Sequence, residues 1–306
     1  MRSIISSIVA LITLILAVFG IGGVKDTNRF QNVMWMSAIS DDAYLSEISI
    51  PGTHDTCALY EPIEPCAKCQ NYSLKDQLSM GVRFIDIRGA LLGSTIYCVH
   101  GPIYQAQNLN EVLDICYDFL RSNPSETIIM SLKEDIEITD KSFTDAAKKY
   151  IEKDREMWFT ENRIPALGEV RGKIVLLNRF DNSCELGIKT AGFADNTSFV
   201  IDNTEFKIHV QDYYQITAVE DEWEQAEKLL NECKNCPSSQ RKTNMYINFL
   251  SGYLGKLPDQ VTVAKGMNAH FVDYFTNAEK SCYGIILFDF VTQQYCDMLI
   301  STNFDA

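Results

Sequence analysis

Short apolar runs rich in β-branched residues recur along the chain at 47–50, 82–87, 95–99, 127–132, 173–177, 207–210, 245–249 and 284–288. They are nearly continuous in apolar character, as strands buried on both faces are. Amphipathic stretches with apolar residues three and four apart, such as 110–122, 140–153 and 219–233, lie between them. This alternation of strand and helix predicts a parallel α/β architecture, and the lack of a G-x-G-x-x-G turn or a Walker loop favours a distorted (β/α) TIM-type barrel in one domain. No internal repeat, low-complexity tract or linker divides it.

A second regularity lies in the polar residues. His54 and Asp55 follow the first run, Asp86 and Arg88 close the second, and His100 closes the third. Lys133 and Asp135 follow the fourth run and Arg179 the fifth; Asp212 and Tyr214 follow the sixth, and Asp289 ends the last. In a parallel barrel the carboxyl ends of the strands meet on one face, where active sites are built. Residues far apart in the chain are therefore expected to share one cleft.

Composition narrows the partners. With 41 acidic against 27 basic residues the chain carries a net charge of −14, which disfavours nucleic acid and purely electrostatic adhesion to anionic surfaces. The N-terminus has a basic start, Met1-Arg2, then an apolar run with small residues up to Val24 and the charged Lys25-Asp26. Residues 1–24 read as a secretory signal; an uncleaved anchor is the alternative, since about 20 apolar residues span a bilayer. Residues 25–306 are assigned to the barrel. For a chain on that route, ten cysteines point to disulfides rather than to zinc, although Cys66-x-x-Cys69 and Cys233-x-x-Cys236 resemble thiolate hooks. Asn71 and Asn196 begin sequons that a eukaryotic secretory host would glycosylate.

Only four histidines are present. Two of them, His54 in Pro51-Gly52-Thr53-His54-Asp55 and His100 in Val99-His100-Gly101-Pro102, occupy glycine-adjacent turns beside strand ends. His209 and His270 lack that setting and are read as structural. Cleaving a phosphodiester needs a base for the attacking hydroxyl, an acid for the leaving alkoxide and positive charge for the phosphoryl oxygens. Two imidazoles and a guanidinium suffice, because imidazole exchanges protons near neutral pH.

Five blocks, taken in order, carry a family resemblance: Ile48-Ser49-Ile50-Pro51-Gly52-Thr53-His54-Asp55, Phe84-Ile85-Asp86-Ile87-Arg88-Gly89, Val99-His100-Gly101-Pro102, Pro124-Ser125-Glu126-Thr127-Ile128-Ile129-Met130-Ser131-Leu132-Lys133 and Arg171-Gly172-Lys173-Ile174-Val175-Leu176-Leu177. Over residues 35–290 the chain resembles the catalytic X domain of the bacterial-type phosphatidylinositol-specific phospholipases C. The resemblance implies that His54 is the general base, oriented by Asp289, and that His100 is the general acid, tuned by Asp55. It implies Arg88 as the phosphate-binding cation. Intracellular relatives instead carry calcium-binding carboxylates there and an Asn after the first histidine, so no cofactor and no calcium are expected. Lys133, Arg179, Asp212, Tyr214, Asp135 and Asp86 are expected around the inositol ring.

The implied substrate is phosphatidylinositol or a glycosylated phosphatidylinositol anchor, met by a secreted, peripheral monomer at a membrane surface. The first products would be diacylglycerol and inositol 1,2-cyclic phosphate. A catalytically silent inositol-lipid-binding barrel and a phosphodiesterase for another head group are the alternatives. The stretch 195–203, where the family's aromatic membrane contacts are expected, offers only Phe199, with Phe193 just ahead of it.

Overall fold

Seven of the eight apolar runs pair side by side in parallel, because strands apolar on both faces need cover on both. A computed structural model describes residues 32–62, 67–137, 142–181, 183–255 and 259–305. The expected leader, residues 1–24, lies outside them, as does the start of the 140–153 stretch. From Asn32 on the chain forms one unit.

Its strands are β1 (Ile50–Thr53), β2 (Phe84–Leu92), β3 (Thr95–His100), β4 (Ile103–Asn108), β5 (Ile128–Glu134), β6 (Trp158–Phe159), β7 (Ile174–Arg179), β8 (Ile188–Lys189), β9 (Thr197–Asp202), β10 (Lys207–Asp212), β11 (Gln215–Ile216), β12 (Asn244–Leu250), β13 (Tyr253–Leu254) and β14 (Ile285–Phe288). The main sheet runs β6-β7-β5-β2-β1-β14-β12-β10-β9, with every pair parallel except β10 with β9. It curls, and among the described residues no hydrogen-bonded pairing joins β9 to the β6 or β8 side. The barrel is therefore open on that side.

The outer helices are α1 (Leu74–Met80), α2 (Leu109–Ser122), α3 (Phe143–Lys153), α4 (Val219–Lys234), α5 (Gln260–Phe275) and α6 (Gln293–Ser301). Their starts are set locally. The Ser73 hydroxyl accepts from the Asp76 amide, and Asn108 forms a capping box with Glu111. One apolar core joins strands and helices, with Trp35, Phe84, Phe249, Phe271 and Phe288 fully buried.

Two departures from the sequence reading matter for the site. The first strand runs over Pro51-Gly52-Thr53, a stretch with the chemistry of a turn. Gly52 is needed there because a Cβ would meet the Phe84 Cβ at 2.9 Å and the Phe84 carbonyl oxygen at 3.1 Å. The run at 95–99 is no parallel barrel strand. β3 pairs antiparallel with the far end of β2, Gly89 opposite Cys98 and Leu92 opposite Thr95, so the hairpin extends past the rim and β3 returns His100 to it.

The nine described cysteines are free thiols, against the expectation of disulfides, and Cys66 lies outside the described residues. Cys98, Cys116 and Cys296 are buried in the core and pack as small apolar groups. The Cys233 sulfur lies 3.7 Å from that of Cys282, in a buried cluster that also holds Cys236. Cys282 precedes β14 while Cys69 lies with His100 past the strands' carboxyl ends, so Cys69 and Cys233 sit at opposite ends of the sheet and cannot share one zinc ion. Asn71 is exposed, and Asn196, at φ 48°, accepts from the Tyr214 and Gln215 amides.

The bottom of the barrel is sealed by a buried ion pair invisible to the strand pattern. Arg83 Nη2 lies 2.8 Å from Glu126 Oε2, and both side chains are fully buried. The guanidinium also donates to the Leu78, Val82 and Val33 carbonyls, and Glu126 accepts from the Met36 amide. The pair thus ties the segment Asn32–Ala38 under the sheet. Removing one partner strands a buried charge, which costs about 3–5 kcal/mol. Glu126→Ala is expected to lose about that much in denaturant unfolding, while Arg83→Met with Glu126→Leu recovers much of it.

Candidate active site

The polar residues after β1 and β14 are aimed by backbone turns that most side chains avoid. Asp55, directly after His54, has φ 42°, and Phe290, directly after Asp289, has φ 51°. A left-handed conformation at a bulky residue costs on the order of 1–3 kcal/mol and persists only where its surroundings hold it. Gln70 and Cys69 supply that hold. The Phe290 amide donates to the Cys69 carbonyl at 2.7 Å, and the Gln70 carboxamide donates to the carbonyls of His54 and Phe288 while accepting from the Val291 amide. Gln70, fully buried, thereby locks two strand ends together. Its position in an irregular segment left no periodic signal.

In the resulting geometry His54 Nδ1 lies 2.8 Å from Asp289 Oδ1. Burial, then the Arg88 guanidinium, hold the His54 pKa well below the usual imidazole value, so the ring is neutral at pH 7. Asp289 is fully buried, and burial and the Asp55 carboxyl push it well up. A carboxylate so raised gains most when its partner ring takes a proton.

His100 stands across the opening. Its Nδ1 lies 2.7 Å from the Ala67 carbonyl and Nε2 lies 3.8 Å from Asp55 Oδ2. A carbonyl only accepts, so Nδ1 carries a proton and Nε2 alone faces the opening. Asp55 is buried, and this raises its carboxyl to about 6 against the opposing pull of Arg88 and His100.

Arg88 lines the same opening as the two rings, with Nε 3.1 Å from Asp86 Oδ2 and Nη1 3.7 Å from Asp55 Oδ2. Asp86 also accepts from Arg179 at 3.5 Å, from the Ser131 hydroxyl at 3.1 Å and from the Asp55 amide at 3.2 Å. Burial alone would raise this carboxyl, but Arg88 and Arg179 outweigh it and hold the pKa far below the usual carboxylate range.

A cavity of about 530 Å³ opens here, lined by seven of the residues singled out from sequence: His54, Arg88, His100, Lys133, Arg179, Asp212 and Tyr214. Lys133 bridges to Asp135 at 2.7 Å, and Asp135 accepts from the Gly101 amide, which anchors the β3–β4 turn. Burial raises Asp212, and the Tyr214 hydroxyl donates to Asp195 at 2.7 Å. Asp55, Asp86, Asp135 and Asp289 stand behind the lining and hold its cations and rings. Phe193 also lines the cavity and carries the Arg179 guanidinium 3.7 Å above its ring. The sequence marked Phe193 only as a candidate for membrane contact; Asp195 and Tyr253 were not read as lining.

His209 stacks on Tyr246 and His270 on Trp223, outside this cavity, in keeping with structural roles. No described helix is long and apolar enough to cross a membrane.

Strand ends that gather an imidazole pair and a guanidinium define an α/β-barrel phosphodiesterase. Comparison with known proteins gives the particular lineage. Residues 42–180 match the family model for the phosphatidylinositol-specific phospholipase C X domain. A 1-phosphatidylinositol phosphodiesterase of Listeria monocytogenes is 31% identical over 289 residues, 90% of this chain and 86% of its own, and a Staphylococcus aureus enzyme of the same name is 34% identical over 235 residues, 71% and 74%. A solved structure of the S. aureus phosphatidylinositol-specific phospholipase C superposes with a TM-score of 0.82 at 29% identity, over 90% of this chain and 98% of its own. The chain belongs to the phosphatidylinositol-specific phospholipase C family.

The buried Asp55 makes a stability prediction with a definite sign. Its carboxyl titrates near 6 when folded and near 3.8 as a free side chain. The folded state thus binds a proton that the unfolded state lacks between those values, and the ionised group costs stability above pH 6, a cost that vanishes as the pH falls toward 4. Asp55→Asn is therefore expected to raise stability at pH 8 by up to about 3 kcal/mol and to flatten its dependence between pH 4 and 6, by thermal unfolding across pH, while activity falls.

Proposed function

We propose that this chain cleaves phosphatidylinositol-type lipids to diacylglycerol and inositol 1,2-cyclic phosphate by acid–base catalysis that needs no metal ion. The observation that carries the reading is the opposite wiring of two imidazoles beside Arg88. His54 donates its Nδ1–H to Asp289 in a 2.8 Å hydrogen bond, which leaves the lone pair of Nε2 to accept a proton. His100 donates its Nδ1–H to the Ala67 carbonyl, which leaves Nε2, 3.8 Å from Asp55 Oδ2, as the ring atom that delivers a proton.

In the proposed step His54 takes the proton of the inositol 2-hydroxyl as that oxygen bonds to phosphorus. The bond from phosphorus to the glycerol oxygen breaks, and His100 protonates the departing oxygen. Asp289 stabilises the imidazolium formed on His54. Arg88 neutralises charge on the phosphoryl oxygens, a fixed cation in the role a metal plays elsewhere. The neighbouring hydroxyl outcompetes water because it is held at high effective concentration, so the cyclic phosphate forms first.

Lys133, Arg179 and Asp212 offer donors and acceptors to the inositol hydroxyls, with Tyr214 as the face on which the ring lies. Asp86 and Asp135 serve that pocket from behind by fixing Arg88, Arg179 and Lys133. The relatives' printed names, 1-phosphatidylinositol phosphodiesterase, support the substrate class. Secretion as a monomer, through the leader read in residues 1–24, completes the proposal.

The test is turnover of phosphatidylinositol vesicles followed by phosphorus NMR in excess chelator. Cyclic inositol phosphate is expected at the rate seen without chelator. His54→Ala and His100→Ala should each lose at least about a thousandfold in kcat with the fold intact by circular dichroism. Near-normal turnover in either variant sinks the acid–base assignment, and a rate abolished by chelator sinks metal independence.

The acid limb of the kcat/KM profile offers a second check. Activity needs a neutral His54, whose pKa lies well below the usual imidazole value. The limb should therefore fall below about 6.5, the value of a free imidazole.

A further inference from the structure

One potential metal ligand behind the cleft has no part in the proposed reaction. Cys69 is fully buried. Its sulfur lies 4.0 Å from His100 Nδ1 on one side. On the other side a Cys69 sulfur, a His54 nitrogen and an Asp289 oxygen all lie within 4.8 Å of one another. Asp289 spends Oδ1 on His54 Nδ1, but its Oδ2 is buried and has no hydrogen-bond partner. A buried carboxylate oxygen without a donor, beside a thiol and an imidazole, is a set of one O, one S and one N donor, which zinc accepts in tetrahedral sites with water as a fourth ligand.

We propose that Cys69, His54 and Asp289 form an inhibitory site for a thiophilic divalent cation, with Zn2+ as its representative. The chemistry balances without a redox partner. The ion displaces the thiol proton to solvent and bonds the thiolate, bonds Asp289, and takes the Nδ1 lone pair of His54 as that ring's proton moves to Nε2. The Nε2 position then carries hydrogen and has no lone pair for the substrate hydroxyl. The ion arrests the base by fixing the wrong tautomer, with the cavity left open.

One observation favours this arrangement over its neighbour. Asp55, Cys69 and His100 form a second set with the same spacing, but there the Arg88 guanidinium stands 3.7 Å from the carboxylate oxygen a cation would use. No cationic side chain pairs with Asp289 among the described ion pairs apart from the His54 ring itself. The ion therefore favours the His54 side.

The inhibitory consequence rests on His54 being the base, but binding does not, and the experiment separates them. Co2+ is titrated into the purified chain and its absorption followed, with no substrate present. A thiolate-to-cobalt charge-transfer band is expected in the parent protein and in Asp55→Asn, and is expected to vanish in Cys69→Ser and weaken in Asp289→Asn. In the vesicle assay micromolar Zn2+ should inhibit the parent, reversibly by chelator. Measured against each variant's own uninhibited rate, Cys69→Ser and Cys69→Ala should need at least about tenfold more Zn2+ for half inhibition.

A band that survives in Cys69→Ser, or one kept in Asp289→Asn and lost in Asp55→Asn, overturns the site. A band without inhibition leaves the site standing and overturns the tautomer mechanism and, with it, the role of His54.

Discussion

Asp86 is the charge on which the mouth of the barrel depends. It sits at no exposure inside the sheet, where an isolated carboxylate would protonate, yet its pKa is held far below the usual range. Arg88 from its own strand, Arg179 from β7, the Ser131 hydroxyl from β5 and the Asp55 amide after β1 all donate to it. One carboxylate thus binds four successive elements of the sheet order and fixes the guanidinium that shares the opening with the imidazoles. A buried anion so saturated can be afforded only because parallel strands deliver all its partners at one height.

The same logic separates two rings of identical chemistry. His54 and His100 differ through what accepts their Nδ1 protons: a buried carboxylate for one and a main-chain carbonyl for the other. A carboxylate behind a ring rewards the arrival of a proton. A carbonyl orients the ring without neutralising it, and the nearby Asp55 does the electrostatic part from the side. The asymmetry needs no difference in exposure, since the two side chains are 13% and 19% accessible.

Much of this was legible in the sequence because strand ends carry a pattern. Continuous apolar runs marked the parallel strands, and polar residues closing them fell on one face, so seven site residues met in one cavity. What escaped comes from segments without periodicity. Gln70, the Ala67 carbonyl and Cys69 lie in an irregular stretch, and a backbone carbonyl has no residue type to betray it. His100 was read onto the right face by the wrong route. Its run looks like any barrel strand, and only the pairing of Gly89 with Cys98 reveals a hairpin that climbs past the rim and returns. The state of the cysteines escaped for a related reason, since local spacing cannot report that Cys233 meets Cys282 from a distant element.

The cleft is also acidic in a way that function alone does not require. Asp55, Asp86, Asp135, Asp212 and Asp289 surround Arg88, Arg179 and Lys133, and burial raises Asp55, Asp212 and Asp289 while it cannot raise Asp86. The difference lies in donors: Asp86 has four, whereas an oxygen of Asp55 and one of Asp289 have none within hydrogen-bond distance. Under-coordinated buried carboxylates destabilise the empty protein and are relieved by whatever brings a positive charge. In the proposed step the proton arriving on His54 is one such charge. The cost held in the resting site is therefore the same electrostatic imbalance that favours the His54 imidazolium of the proposed step.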